Sequence, residues 1–333
     1  MRFVVRLCAL IVLCLGLLAV GPAAAAAKPG KATGRCDAPY AAGQHTLTVT
    51  SGGLERTYVL FIPSGYDGHR RLPLVLNLHG SAADAAIQLQ VSELAETAEA
   101  NDFILVNAQG YSPNPPGYRW NVPGVTSPAP GEVLPDDIQF LSDLIDELTS
   151  TLCVDAKRVY GTGYSGGGRM ISQFACDRPD ELAAIAPVAG LRAGLPIAGP
   201  EGFVPDPATC DPERSIPVRT FAGTADPVNP FAGGGAPYWR YGAMAALERW
   251  AEINECRQGP RTDQVTEDTS LVRYWACPRN ATVEMYVVEG GGHVWPGTSF
   301  VHPQLGAATQ TISASDLMWE FFRRHRLPGS PIT

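Results

Sequence analysis

The chain has no C-x-x-C pair and no H-E-x-x-H. A structural or catalytic zinc therefore has no support, and no metal is expected. Basic charge is also short: 25 Lys and Arg stand against 33 Asp and Glu, a formal charge of −8 that becomes about −10 without Arg2 and Arg6. That balance argues against nucleic acid and anionic membrane as partners. No internal repeat, charge run or Ser/Thr/Pro linker marks off an extra binding module. The apolar run from Leu7 to Val20 is short for a membrane span. Arg2 and Arg6 precede it and Ala23-Ala24-Ala25-Ala26-Ala27 follows, the three-part pattern of a secretory signal peptide cleaved near Ala26 or Ala27. No twin-arginine pair is present, so export in the unfolded state is expected. Residues 1–27 are thus expected to be leader, and residues 28–333 a single extracellular domain, expected as a monomer.

Six cysteines remain in the mature chain, an even number that favours disulfides in an exported protein. Cys153 precedes the strand that leads to Ser165 and Cys176 ends the helix that returns, so both are expected at the bottom of the sheet and are paired on that ground. Cys256 with Cys277 suits a local loop closure, and Cys36 with Cys210 follows by elimination.

Strand and helix signals alternate after an opening hairpin, His45 to Thr50 and Thr57 to Ile62, joined through Ser51-Gly52-Gly53. Leu74 to Leu78 and Phe103 to Ala108 read as buried strands around a helix from Ala85 to Ala100. Asp136 to Leu152 is an amphipathic helix, Arg158 to Tyr164 a strand, and Gly166 to Cys176 a helix. Strands at Ala184 to Val188, Pro217 to Ala222 and Val283 to Val288 follow, with helices at Met244 to Ile253 and Ala314 to Arg324. Alternating β and α with buried-type strands predicts an α/β-hydrolase fold: a mostly parallel central sheet flanked by helices, with an N-terminal β-hairpin. Two Pro- and Gly-rich stretches, Tyr111 to Leu134 and Leu191 to Ile216, are expected to shape a substrate cleft. For the second, which contains Cys210, a disulfide-tethered surface loop is an equal alternative.

Gly163-Tyr164-Ser165-Gly166-Gly167 lies between a strand and a helix, the context in which G-x-S-x-G presents an exposed nucleophilic serine on a sharp turn. The same stretch also reads G-x-G-x-x-G from Gly161 to Gly166, with Asp180 about twenty residues on. Asp180, however, follows Pro179 and precedes the next apolar run instead of closing it, and the unit lies midway along an exported chain. No nicotinamide or other cofactor is expected. A serine hydroxyl needs a base and an acid that orients the base, in the chain order Ser, Asp or Glu, His for this fold. His293, on the glycine-rich loop after the Val283 to Val288 strand, is the expected base, with His302 as its competitor. His325 is expected at the exposed end of the last helix. Asp226, reached through Gly223-Thr224-Ala225 after a strand, is the expected acid. Backbone N–H groups of Ser81 and Gly166 are the expected oxyanion donors, with His79 a structural hydrogen-bonder beneath them. Trp120 and Trp295 offer candidate faces for an aromatic acyl group or a sugar.

Leu78-His79-Gly80-Ser81, Asp136-Asp137-Ile138-Gln139-Phe140-Leu141, Val159 to Gly168, Ala184 to Gly190 and Gly291-Gly292-His293-Val294-Trp295-Pro296-Gly297 together resemble the secreted feruloyl esterase and polyhydroxybutyrate depolymerase-like family over nearly the whole mature chain. The resemblance implies a serine esterase with Ser165, Asp226 and His293 in its triad, releasing hydroxycinnamic acids such as ferulate from plant cell-wall polysaccharide (xylan). Alternative substrates are polyhydroxybutyrate or another polyester, and acetyl-xylan. An inactive carbohydrate-binding protein on the same scaffold is the alternative of another class. One departure from the family is the stretch Ala222 to Phe231, which lacks the usual His-Gly pair before the acid and the Val-Pro-Tyr type segment after it. The loop facing the substrate is therefore expected to differ.

Overall fold

The computed structural model describes residues 36–300 and 302–328. The expected leader lies outside them. No helix among the described residues is long and apolar enough to cross a membrane.

In chain order the elements are β1 (Gly43–Ser51), β2 (Leu54–Ile62), β3 (Leu72–Leu78), α1 (Ala85–Ser92), α2 (Leu94–Asn101), β4 (Ile104–Ala108), β5 (Ser112–Asn114), β6 (Gly117–Arg119), α3 (Asp137–Thr151), β7 (Val154–Tyr164) and α4 (Gly166–Asp177). Then come β8 (Ala184–Val188), β9 (Pro196–Gly199), β10 (Gly202–Pro205), β11 (Val218–Gly223), α5 (Ala243–Ile253), β12 (Gln258–Gln264), β13 (Thr269–Trp275), β14 (Val283–Val288) and α6 (Ala314–Phe322). One sheet takes ten strands in the order β1-β2-β4-β3-β7-β8-β11-β14-β13-β12. Its six central strands run parallel, and the β1–β2 and β12–β13 hairpins close the edges antiparallel. This is the expected α/β-hydrolase architecture.

Period-2 alternation supplies the two cores. Leu74, Leu76, Ile104 and Val106 face a cluster with residues of α3, α4 and α5, while Val75, Phe103 and Leu105 face one with α1, α2 and α6. The central strands are apolar on both faces, as a doubly covered parallel sheet requires. α3 is capped by the Asp136 carboxylate, which accepts from Gln139 N, and the buried Asp137 pairs with Arg56 at 2.6 Å.

Several expectations need correction. The helix expected over residues 85–100 is two helices, because Glu93 sits at φ 51° and turns its carboxylate to accept from Ser299 N at 2.8 Å. The β12–β13 hairpin was not expected: β12 is an exposed polar edge strand with no apolar alternation to show, and β13, which carries Leu271, Val272, Tyr274 and Trp275, was not picked out. Cys153 is not paired with Cys176, nor Cys36 with Cys210; the bridges are Cys36–Cys153 and Cys176–Cys210, while Cys256–Cys277 is as expected. Cys153 lies in the strand layer, against the loop whose Gly68 O accepts from Ala38 N, which delivers Cys36. Cys176 lies one layer out on α4, facing the excursion that carries Cys210. Three disulfides fit an oxidising compartment.

Candidate active site

Parallel register brings the C-terminal ends of five strands to one edge. Leu78 pairs with Gly163, Tyr164 with Val188, Val188 with Phe221, and Gly223 with Val288. Crevices outside the carboxyl ends of such strands are where open α/β sheets hold ligands.

Ser165 stands between β7 and α4 at φ 53° and ψ −110°, a conformation outside the common wells. Such a residue costs about 1–3 kcal/mol and persists only where its surroundings hold it. Backbone bonds do so: Ser165 N donates to Val188 O and Ser165 O accepts from Arg169 N, both at 2.9 Å. The turn also needs Gly167, since a Cβ there would lie 2.2 Å from Leu78 O. The motif's glycine is thus a close-approach glycine.

His293 and Asp226 meet across two loops. A Cβ on Gly223 would lie 2.2 Å from Gly291 O, and Ala225 N donates to that carbonyl at 2.9 Å, so the loops after β11 and β14 are stitched backbone to backbone. His293 Nδ1 lies 2.7 Å from Asp226 Oδ2. Asp226 Oδ1 accepts from Val228 N at 2.8 Å and Asn229 N at 2.7 Å. The carboxylate is thus held on one oxygen and free on the other to take the imidazole N–H. Ser165, Asp226 and His293 are 6%, 6% and 3% exposed, so these contacts operate away from bulk water. No hydrogen bond closes between Ser165 Oγ and His293, although both line one cavity. In free enzymes such catalytic bonds are often long and tighten when substrate binds.

Gly166 opens α4, where the first N–H groups have no intrahelical acceptor and the helix dipole is positive. A Cβ on Gly166 would lie 3.0 Å from Ser81 N, which places the two expected oxyanion donors side by side. Sequence reasoning missed Tyr164: its hydroxyl donates to the His293 carbonyl, and its ring centroid lies 5.1 Å from the imidazole's. Its place inside the serine motif was the available signal.

The cavity encloses about 320 Å³. Ile87, Val91, Val228, Phe300 and Leu305 give it apolar walls, and His302 stands at its rim. Neither long loop expected to shape the cleft lines it. The 111–134 segment braces the oxyanion loop from outside, with Ala82 N donating to Tyr118 O and Tyr118 N to Ala83 O. The 191–216 segment is tethered by Cys176–Cys210. Trp120 is likewise no substrate face: it is 2% exposed, and its indole donates to His79 O at 2.9 Å because a buried N–H must find an acceptor. Trp295 lines the cavity but is 1% exposed, its N–H donating to Ser315 Oγ.

No protein-family model matches the chain. Feruloyl esterase B of Piromyces equi is 32% identical over 244 residues, 72% of this chain and 42% of that protein, so the chain spans less than half of that relative's length. "Putative esterase NocK" of Nocardia uniformis subsp. tsuyamanensis is 30% identical over 273 residues, 75% of this chain and 73% of that one. The chain belongs to the esterase family that includes the feruloyl esterases. The solved acetyl xylan esterase from Aspergillus awamori superposes with a TM-score of 0.54 at 13% identity, covering 84% of this chain and 99% of that one, which shows the shared fold.

Two other histidines of the esterase are buried and neutral. His79 Nδ1 faces Gly80 O at 2.7 Å and its Nε2 accepts from Gly110 N at 2.9 Å, so a second ring proton would meet the Gly110 N–H. Desolvation lowers it from 6.5 to about 4. His325 is lowered to about 4 as well, by desolvation and then by Arg324 and Arg219. The expected exposed position of His325 is therefore wrong: it is 6% exposed and packs on Phe321 at 4.5 Å. Between pH 6.5 and about 4 the unfolded chain binds protons that the fold refuses, so stability falls as pH drops through that window and levels off below it. Thermal melts from pH 7 to pH 4 are expected to show the fall, of the order of 1 kcal/mol or more per histidine. His325→Phe is expected to flatten the slope. An unchanged slope in that variant would count against His325 as a contributor.

Proposed function

We propose that the esterase is an exported feruloyl esterase, cleaved near Ala26 or Ala27, that acts as a monomer through a Ser165-His293-Asp226 acyl-enzyme mechanism on plant cell-wall polysaccharide. The observation that carries the reading is the buried His293–Asp226 pair opening, with Ser165, on one apolar-walled cavity. Its roughly 320 Å³ suits an aromatic acyl group better than an acetyl. The feruloyl esterase names among the relatives agree with that choice.

In the proposed cycle His293 Nε2 takes the Ser165 proton as Oγ bonds to the ester carbonyl. The carbonyl oxygen becomes an oxyanion facing the Gly166 and Ser81 N–H groups. His293 gives the proton to the sugar oxygen as its bond to the acyl carbon breaks, releasing a sugar hydroxyl and leaving an acyl-serine. A water then repeats the sequence: His293 takes its proton, the hydroxyl adds to the acyl carbon, and ferulate leaves as Ser165 regains its proton.

Initial rates on methyl ferulate beside short-chain hydroxybutyrate esters test the substrate class, with Ser165→Ala as blank. Serine-dependent preference for ferulate is expected. Preference for the hydroxybutyrate esters would keep the mechanism and replace the substrate with an aliphatic polyester.

A further inference from the structure

The described residues that line the catalytic cavity include one arginine, Arg169, and no lysine, aspartate or glutamate. Arg169 is 6% exposed, and its Nε and Nη1 are buried without a hydrogen-bond partner among the described residues. The other buried guanidinium groups each make at least one hydrogen bond, although Arg56 Nε and Arg192 Nη1 are also without a partner among the described residues. Arg56 pairs with Asp137 at 2.6 Å, Arg219 with Glu284 at 2.5 Å, and Arg192 donates to Gly194 O at 2.9 Å. Arg169 has only the face of Tyr238, 4.3 Å from its Cζ. Burial lowers it to about 10, which leaves it charged at neutral pH, and the ionisable groups acting on it are Tyr238 and a second cation, Arg192.

A buried, unanswered charge is costly, and a cation–π contact offsets only part of that cost. The position explains why it is kept. Arg169 follows Ser165 by four residues, so it rises on the same face of α4 one turn from the nucleophile. Its Nη2 lies 3.5 Å from the point where a Gly166 Cβ would sit, the same point that lies 3.0 Å from Ser81 N. The guanidinium therefore borders the expected oxyanion donors and faces the space a substrate occupies.

We propose that Arg169 is an anion-recognition residue of this active site, and that an ester bearing a carboxylate within a few atoms of the scissile carbonyl is favoured over its neutral analogue. This rests on the serine-esterase reading and goes beyond the feruloyl substrates proposed above, which carry no such carboxylate. A carboxylate at that place takes charge-assisted hydrogen bonds from the guanidinium and supplies the counter-charge that the cavity walls lack. It can belong to the acid part, as in a dicarboxylic half-ester, or to the alcohol part, as in a sugar acid. The recognition chemistry is the same.

Two substrate pairs test this: monomethyl glutarate against methyl valerate, with the carboxylate on the acid side, and carboxymethyl butyrate against propyl butyrate, with it on the alcohol side. The quantity read is the ratio of kcat/KM, carboxylated over neutral, which does not depend on the fraction of folded enzyme. In the wild type at least one ratio is expected to exceed about tenfold, the low end for a hydrogen bond to a charged group. Arg169→Met is expected to bring that ratio to one or below, and Arg169→Lys to restore part of it. Ratios near or below one in the wild type for both pairs, or a high ratio that survives Arg169→Met, overturn the proposal. If Arg169→Met does not fold, inhibition of the wild type decides: succinate binding about tenfold tighter than succinamide supports the proposal, and equal inhibition overturns it. Wild-type enzyme that hydrolyses none of these esters, neutral ones included, would instead sink the esterase reading itself.

Discussion

Ser165→Ala is expected to remove about five to six orders of magnitude from turnover of an activated ester while leaving the fold intact. The loss is large because nucleophile and base act as a unit: without Oγ, His293 has no proton to take. Residual turnover of about 10³–10⁴ over the uncatalysed reaction is expected to persist, since the Gly166 and Ser81 donors do not depend on the hydroxyl. Stability is expected to hold for a structural reason. The unusual Ser165 backbone is fixed by its own N–H on Val188 O and by Arg169 N on its carbonyl, not by the side chain. Its Oγ makes no hydrogen bond among the described residues, and alanine meets no more backbone strain at φ 53° than serine does. Stopped-time product assays and a thermal melt check both halves. Full activity in a folded Ser165→Ala protein would remove Ser165 from the chemistry.

The part of the site that was legible from sequence is the part that turn geometry imposes on sequence. G-x-S-x-G needs glycine where Gly167 passes Leu78 O, and the glycine run before His293 is needed where a Cβ on Gly292 would lie 2.1 Å from Leu305 O. Such close approaches admit no side chain, so they are written as glycine. The central strands were legible for a similar reason, since burial on both faces demands uninterrupted apolar residues. Contacts between sequentially remote side chains leave no such mark. Nothing local says that Cys153 meets Cys36 across 117 residues, or that Cys176 meets Cys210. Trp120 reads as an aromatic in a loop whether its indole faces a cavity or, as here, the His79 carbonyl. The cavity wall itself comes from Val228 and Tyr238 on one connection and Phe300, His302 and Leu305 on another. The stretch that holds Val228 reads in sequence as the loop facing the substrate, but Tyr238 and the connection carrying Phe300 and Leu305 are not picked out there as lining the cavity. The unanswered charge of Arg169 is a statement about what is missing around it in space, which sequence alone does not display.

Asp226→Asn separates orientation from charge at the base, and its expected cost is about 10⁴-fold in kcat. The direction follows from the two ends of the carboxylate. Oδ1 accepts two backbone N–H groups, from Val228 at 2.8 Å and Asn229 at 2.7 Å. An amide NH₂ placed there would oppose two donors, so the asparagine oxygen is forced to that side and the NH₂ to the side of His293 Nδ1. An NH₂ donates and cannot accept the imidazole proton, so the neutral ring is driven to carry its proton on Nε2. Nε2 is the atom proposed to take the proton from Ser165. The variant therefore keeps its shape, its backbone bonds and its cavity, and presents the base in the wrong tautomer. Loss in kcat with little change in KM for a neutral ester is the expected pattern. Added hydroxide offers a further check, since raising the pH supplies another way to deprotonate the serine and is expected to recover part of the rate. An Asp226→Asn protein with wild-type kcat would show that His293 takes its orientation from elsewhere.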